Sequence, residues 1–240
     1  MFIWRLVCVW VACLAVDTLL ARVMSSHGVR WFTIHAILNY AIAVLSLSDV
    51  IEFASNPMAV CSDDKESDHW SSRTKWPLIL VVGLHTFHMF PGRFKLHPED
   101  YFHHLVFLPT LALPGMIYDW GVAGNWSVFF ICGIPGGVDY TILALQKLGF
   151  ATRLNQKRIS AYMNTWVRTP GVLIGTGITY VSFMNGDCSP PPWAILTQLV
   201  FMVLNVSYYS KQSVINYTLH TARQFIPSEM DWETLKRACV

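Results

Sequence analysis

Along this 240-residue chain, apolar residues gather in seven long stretches, and the segments between them hold most of the charge. A transmembrane helix needs roughly 20 mostly apolar residues to cross about 30 Å of hydrocarbon. On that measure the stretches predict spans at 2–23, 31–52, 76–91, 100–118, 125–148, 158–184 and 193–222. The first is longer than the apolar part of a signal peptide and reads as a true helix. Pro77 and Pro91 bracket the short third span. Gly92, Arg93, Lys95 and Pro98 are loop and helix-start residues. Glu99 and Asp100 then sit in a first turn, where carboxylates suit the helix dipole. Pro190, Pro191 and Pro192 open the seventh span, where a missing N–H costs little.

The predicted fold class is therefore an all-α polytopic membrane protein of about seven transmembrane helices. Residues 1–30 form a first helix and loop, 31–222 the main membrane domain, and 223–240 a tail. Composition agrees. Hydrophobic residues make up 53% and charged residues 13%, against about 25% charged in a soluble domain. Seven helices leave no room for a second, soluble domain. A net charge of +2, with no basic run, excludes nucleic acid as a partner.

Charge also sets an expected orientation. Arg22 and Arg30, Arg93 and Lys95, the group Lys147, Arg153, Lys157 and Arg158, and the tail residues Arg223, Lys236 and Arg237 fall on one face of a seven-span bundle. The opposite loops 119–124 and 185–192 hold no Lys or Arg. The N-terminus is expected to be lumenal or exterior and the C-terminus cytosolic. Cys61 and Cys188 then share the non-cytosolic side, where they either form a disulfide or remain two thiols. Asn125-Trp126-Ser127 is a glycosylation sequon on that side, but it hugs a helix start and is expected to be unused.

Ionisable groups inside a membrane are costly and usually functional. Counted at about 1.5 Å per residue, His35, Asn39, His85, His88, His103, His104, Asp139, Arg168, Asn205 and Lys211 fall in one slab below the cytosolic surface. Five histidines at one depth are more than helix packing needs. The expectation is a polar chamber open to the cytosolic half. The alternative is interhelical bonding, such as an ion pair of Asp139 with Arg168 or Lys211. Pro170-Gly171 and the run Gly133, Pro135, Gly136, Gly137 should kink or break their helices. Such backbone either lines a cavity or allows close packing.

Four motifs in register resemble the TLC-domain family, which includes the ceramide synthases. They are His103-His104 with Leu105-Val106-Phe107 and Thr110, the run Asp139 to Lys147, Asn164-Thr165-Trp166-Val167-Arg168, and Leu204-Asn205 through Lys211. The resemblance spans about residues 31–222 and implies a helical bundle around a lipid-accessible cavity, in the endoplasmic reticulum by default, with the plasma membrane or an organellar membrane as the alternatives. It implies His103 and His104 as the paired catalytic histidines and Asp139 as the second acid of a His-Asp-x-x-x-Asp helix. The His-Asp pair itself is absent, because that position holds Pro135-Gly136-Gly137. This departure favours a non-catalytic protein that binds lipid or sets membrane composition, with His35, Asn39, His85, His88, Asn164, Arg168, Asn205 and Lys211 lining its cavity. The alternatives are an acyltransferase using acyl-CoA as co-substrate and a structural subunit of a larger membrane complex. Membrane lipids and membrane proteins are the expected partners. No cofactor or metal is expected, since five histidines are too few for a histidine-box di-iron centre. Lys211 lies too near its helix end for a retinal protein, and no ring of like charges suggests a channel.

Overall fold

A computed structural model describes residues 2–57, 74–89, 94 and 98–225. Among them the chain is all helix and turn, arranged as seven rods. These are α1 (Phe2–Ala21), α2 (His27–Ser55), α3 (Trp76–His88), α4 (98–117), α5 (Gly121–Lys147), α6 (153–184) and α7 (Pro192–Ala222). Four of them, α1, α2, α5 and α7, are long and apolar enough to cross a membrane. The chain is an α-helical integral membrane protein. Large apolar side chains such as Val44, Leu105, Trp166 and Val200 face outward, as lipid-facing surfaces require.

Two helices begin earlier than expected. α2 starts at His27 because the Ser26 hydroxyl accepts the Val29 N–H, and α6 starts at Arg153 because Thr152 caps Asn155. Gly149 and Gly186, both at positive φ, end α5 and α6. In each case the next residue's N–H reaches back five residues, Phe150 to Leu145 and Asp187 to Ser182.

Neither Pro170-Gly171 nor the 133–137 run breaks its helix. α4, α5 and α6 instead each contain one π-helical turn, at Leu108–Ala112, Phe129–Gly133 and Asn164–Arg168. A proline follows each turn by two residues, at Pro114, Pro135 and Pro170. A proline ring clashes with the carbonyl four residues earlier. Those carbonyls belong to Thr110, Ile131 and Trp166, the middle residue of each π turn. Widening the turn moves the carbonyl aside, and the rod continues.

The glycines of α5 form a packing seam. A Cβ on Gly133 would meet the Ala43 backbone at 3.3 Å, one on Gly136 would meet Asn39 at 2.6 Å, and one on Gly137 would meet Tyr40 at 2.7 Å. Only glycine lets α5 approach α2 so closely, and this is the most extensive helix pairing of the bundle. Close packing therefore accounts for this run. A core of Val9, Cys13, Ile34, Leu38, Ile79, Leu84 and Phe87 ties α1, α2 and α3 together, and Phe53, Val122, Ala123 and Trp126 tie α2 to α5.

Asp17 and Arg30 form an ion pair at 2.9 Å, with both side chains 8% exposed. Arg30 also donates to the Met24 and Ser25 carbonyls and contacts His27 Nδ1. It is buried between α1 and α2, so it is not free to mark a loop face. Asn125 is buried too, and its amide nitrogen donates to Asp49 and to the Thr74 carbonyl, which leaves the sequon inaccessible. Cys188 is disulfide-bonded. Cys61, Arg93, Lys95 and the tail beyond 225 lie outside the described residues.

Candidate functional site

The five histidines come from three helices and meet in one cluster. His35 lies on α2, one turn below Trp31, whose carbonyl holds its Nδ1 at 2.9 Å and whose ring stacks on it. His85 and His88 end α3, one turn apart on one face. His103 and His104 lie early in α4. Ring centroids within the cluster are 4.5–5.6 Å apart for the contacting pairs His88–His104, His35–His88, His85–His104, His85–His103, His103–His104 and His85–His88. Tyr140 of α5 closes the His35 side at 4.4 Å.

Backbone and tyrosine contacts fix the direction of the hydrogen bonds on one side. A carbonyl only accepts, so His85 Nδ1–H donates to the Val81 carbonyl at 2.7 Å. A neutral imidazole carries one N–H, so His85 Nε2 is an acceptor. It takes the His103 Nε2–H at 3.3 Å, which leaves His103 Nδ1 to accept the Tyr209 hydroxyl at 2.7 Å. The result is a directed run from Tyr209 through His103 and His85 to the backbone. A second pair, His88 Nε2 and His104 Nε2, meets at 2.5 Å, and His88 Nδ1 is buried with no partner.

Arg168 sits beside this run, at the end of the π turn of α6. Its Nη1 donates to Asn164 Oδ1 at 3.2 Å and its Nη2 to Asn205 Oδ1 at 3.0 Å. Its guanidinium carbon is 5.2 Å from the Tyr209 ring centroid. Asn164 and Arg168, four residues apart, share one side of α6, and the Asn164 carbonyl accepts both the Thr169 N–H and the Thr169 hydroxyl.

A cavity of about 1180 Å³, open mouth included, runs from this cluster to the opposite ends of the helices. His85, His103 and Asn205 form one end. Thr74, Lys75, Tyr118, Asp119 and Gly121 frame the other. The wall between is mainly apolar, with Leu78, Val81, Leu108, Leu111, Val128 and Met202. Two of the π turns contribute to it through Leu108, Leu111 and Ala112, and through Ile131 and Cys132. From Lys75 to His85 along α3 the span is about 15 Å at a 1.5 Å rise. The cavity was expected to open to the cytosolic half; it extends from the histidines toward the other helix ends.

The expected cavity-lining residues divide. His85, His103 and Asn205 line the wall. His35, His88 and His104 are buried behind it, as are Asn39, which packs against Gly136, and Asn164. Arg168 stands next to Asn205. Lys211 is exposed and joins nothing in the cluster. Asp139 lies against Ser160 of α6, its Oδ1 is buried without a hydrogen-bond partner among the described residues, and it makes no ion pair with Arg168 or Lys211. No group of three His, Cys, Asp or Glu side chains among the described residues is placed to hold a metal ion.

Sequence reasoning missed Tyr209, Gln198 and Asp49. Asp49 was readable as an acid at the end of an apolar span. It is fully buried, and Ser48 and Asn125 donate to it. Gln198 lines the cavity and donates to the Leu111 carbonyl. Nothing in the sequence distinguishes Tyr209 from its neighbour Tyr208. Comparison with protein-family models, with curated proteins and with solved structures found no match to this chain.

Proposed function

We propose that this chain is a seven-span, TLC-like membrane protein that holds one lipid acyl chain in its cavity and acts by binding that lipid and influencing membrane composition. One observation carries the reading: a long apolar wall that ends on two imidazoles and an amide, His85, His103 and Asn205. The wall suits methylenes, and the polar end suits the oxygen-bearing head of a lipid. Its length of about 15 Å is half of the roughly 30 Å hydrocarbon core, the depth that one leaflet's chains fill. The chain is placed in the endoplasmic reticulum membrane with its N-terminus lumenal and C-terminus cytosolic, on the basis of the loop charges and the family resemblance. The missing His-Asp pair before Asp139 weighs against turnover.

The test is to purify the protein in a mild detergent and identify co-purifying lipids by mass spectrometry, for the wild type and for His85→Ala/His103→Ala. One enriched lipid class, depleted in the variant, is the expected result. Bulk membrane lipids in equal amount from both folded proteins would overturn the reading.

The directed run from Tyr209 through His103 to His85 favours a second reading, acyl transfer from acyl-CoA. Its 3.3 Å link is the longest in the run. A nucleophile's hydroxyl or amine inserted there would give its proton to His85 Nε2 while its oxygen or nitrogen attacked the thioester carbon, and the CoA thiolate would leave. Acyl-CoA consumption by the purified protein, lost in Tyr209→Phe and His85→Ala, would establish this reading over the first.

A further inference from the structure

Neither packing nor the histidine run explains Arg168. It is a guanidinium at membrane depth, and among the described residues its acceptors are the neutral amide oxygens of Asn164 and Asn205. Its Nε is buried with no partner. Asp139 lies within electrostatic range, against Ser160, but it is not close enough to form an ion pair with Arg168. An unneutralised charge in a low-dielectric site is strongly disfavoured, so native structures normally supply a partner. Here the protein instead fixes the cation rigidly, between two asparagines and over the Tyr209 face. One of those asparagines, Asn205, forms the polar end of the cavity, next to His103.

We propose that the histidine end of the cavity binds an anionic head, a carboxylate or a phosphate monoester, on a single alkyl chain, and that Arg168 is the charge that selects it. The assignment rests on the reading of the cavity as an acyl-chain site, and it names the charge class of the ligand. The chain lies along Leu78, Val81 and Met202. The head meets Asn205 and His103 within the field of Arg168. Guanidinium suits this task because it stays charged even when buried, so its field reaches an anion held at Asn205. A cationic amine head would face Arg168 with like charge and be rejected.

The experiment measures binding of four ligands with the same chain to the full-length protein in neutral detergent: palmitate, palmitoyl-lysophosphatidate, hexadecanol and hexadecylamine. The anions are expected to bind at least about tenfold tighter than hexadecanol, as a charge-assisted hydrogen bond outweighs a neutral one. Hexadecylamine is expected to bind weakest. The ratio between the two anions tells a carboxylate site from a phosphate site. Arg168→Gln should bring the anions down to hexadecanol while hexadecanol itself is unchanged. Arg168→Lys, which keeps the charge and the fold, should retain part of the preference. Equal binding of palmitate and hexadecanol by the wild type would overturn the anion assignment and leave the chain reading standing. No saturable binding of any of the four would overturn both.

Discussion

If the cavity holds an alkyl chain, affinity must depend on chain length in a way the structure fixes. Each methylene taken out of water contributes about 0.8 kcal/mol, or roughly fourfold in affinity. The gain should continue until the chain reaches the Lys75 end, about 15 Å from His85, and then stop. Leu78 lines the wall seven residues from His85, about 10 Å along α3. Leu78→Trp puts a larger ring there and closes the last third of the cavity. About three methylenes lose their place, worth about 2–3 kcal/mol, so the longest chains should bind about 30- to 150-fold more weakly. Short chains that end before Leu78 should bind as before. The assay is displacement of radiolabelled palmitate from the purified protein by carboxylates running from octanoate to stearate. The wild-type affinity should rise and level off, and Leu78→Trp should level off earlier. A constant slope through stearate in both proteins, or the same plateau in both, would show that the chain lies elsewhere.

Four other outcomes follow from the geometry. Asp17→Ala leaves Arg30 buried without its acid and should cost about 3–5 kcal/mol, seen as a large fall in melting temperature in detergent; Asp17→Leu/Arg30→Met should recover most of it. Gly171→Ala places a Cβ against the Phe130 ring, so it should destabilise by about 1–3 kcal/mol in the same assay, whereas Gly177→Ala, which meets nothing, should not. Asn125 should carry no glycan when the protein is expressed in eukaryotic cells, and glycosidase treatment should leave its gel mobility unchanged. Pro135→Ala lets the π turn of α5 tighten and should alter the labelling rate of Cys132, a free thiol on the cavity wall, with a maleimide.

Much of the architecture was legible because lipid imposes it. Runs of about 20 apolar residues have few alternatives to a helix in hydrocarbon, and the seven rods lie close to the apolar stretches. The histidines were also found, since each could be placed by counting rise from a helix end. Direction was not legible. Counting gave His35, His88 and His104 the same depth as His85 and His103, but rotation about each helix decides which side chain meets the cavity and which is buried behind it. The same counting put Lys211 in the slab, whereas it faces outward. The Asp139–Arg168 pairing failed for a related reason. Equal depth does not bring side chains together: Asp139 lies against Ser160 of α6 while Arg168 turns to Asn205 of α7.

The prolines show how the remaining uncertainty was built into the chain. Read as a sequence, Pro114, Pro135 and Pro170 are breakers, and a broken helix at membrane depth suggests exposed backbone. The structure answers each with a π turn whose central carbonyl is the one the proline ring would strike. A π turn adds a residue to its turn, so side chains on either side of it fall out of the regular helical register. That shift is what the site uses. In α4 and α5 it delivers Leu108, Leu111, Ala112, Ile131 and Cys132 to one wall. α4 and α5, each widened by a π turn, line a space bounded by apolar residues and ended by the imidazoles of His85 and His103. The prolines therefore belong to the mechanism of cavity formation, and the glycine seam of α5 against α2 holds the opposite side of the bundle closed.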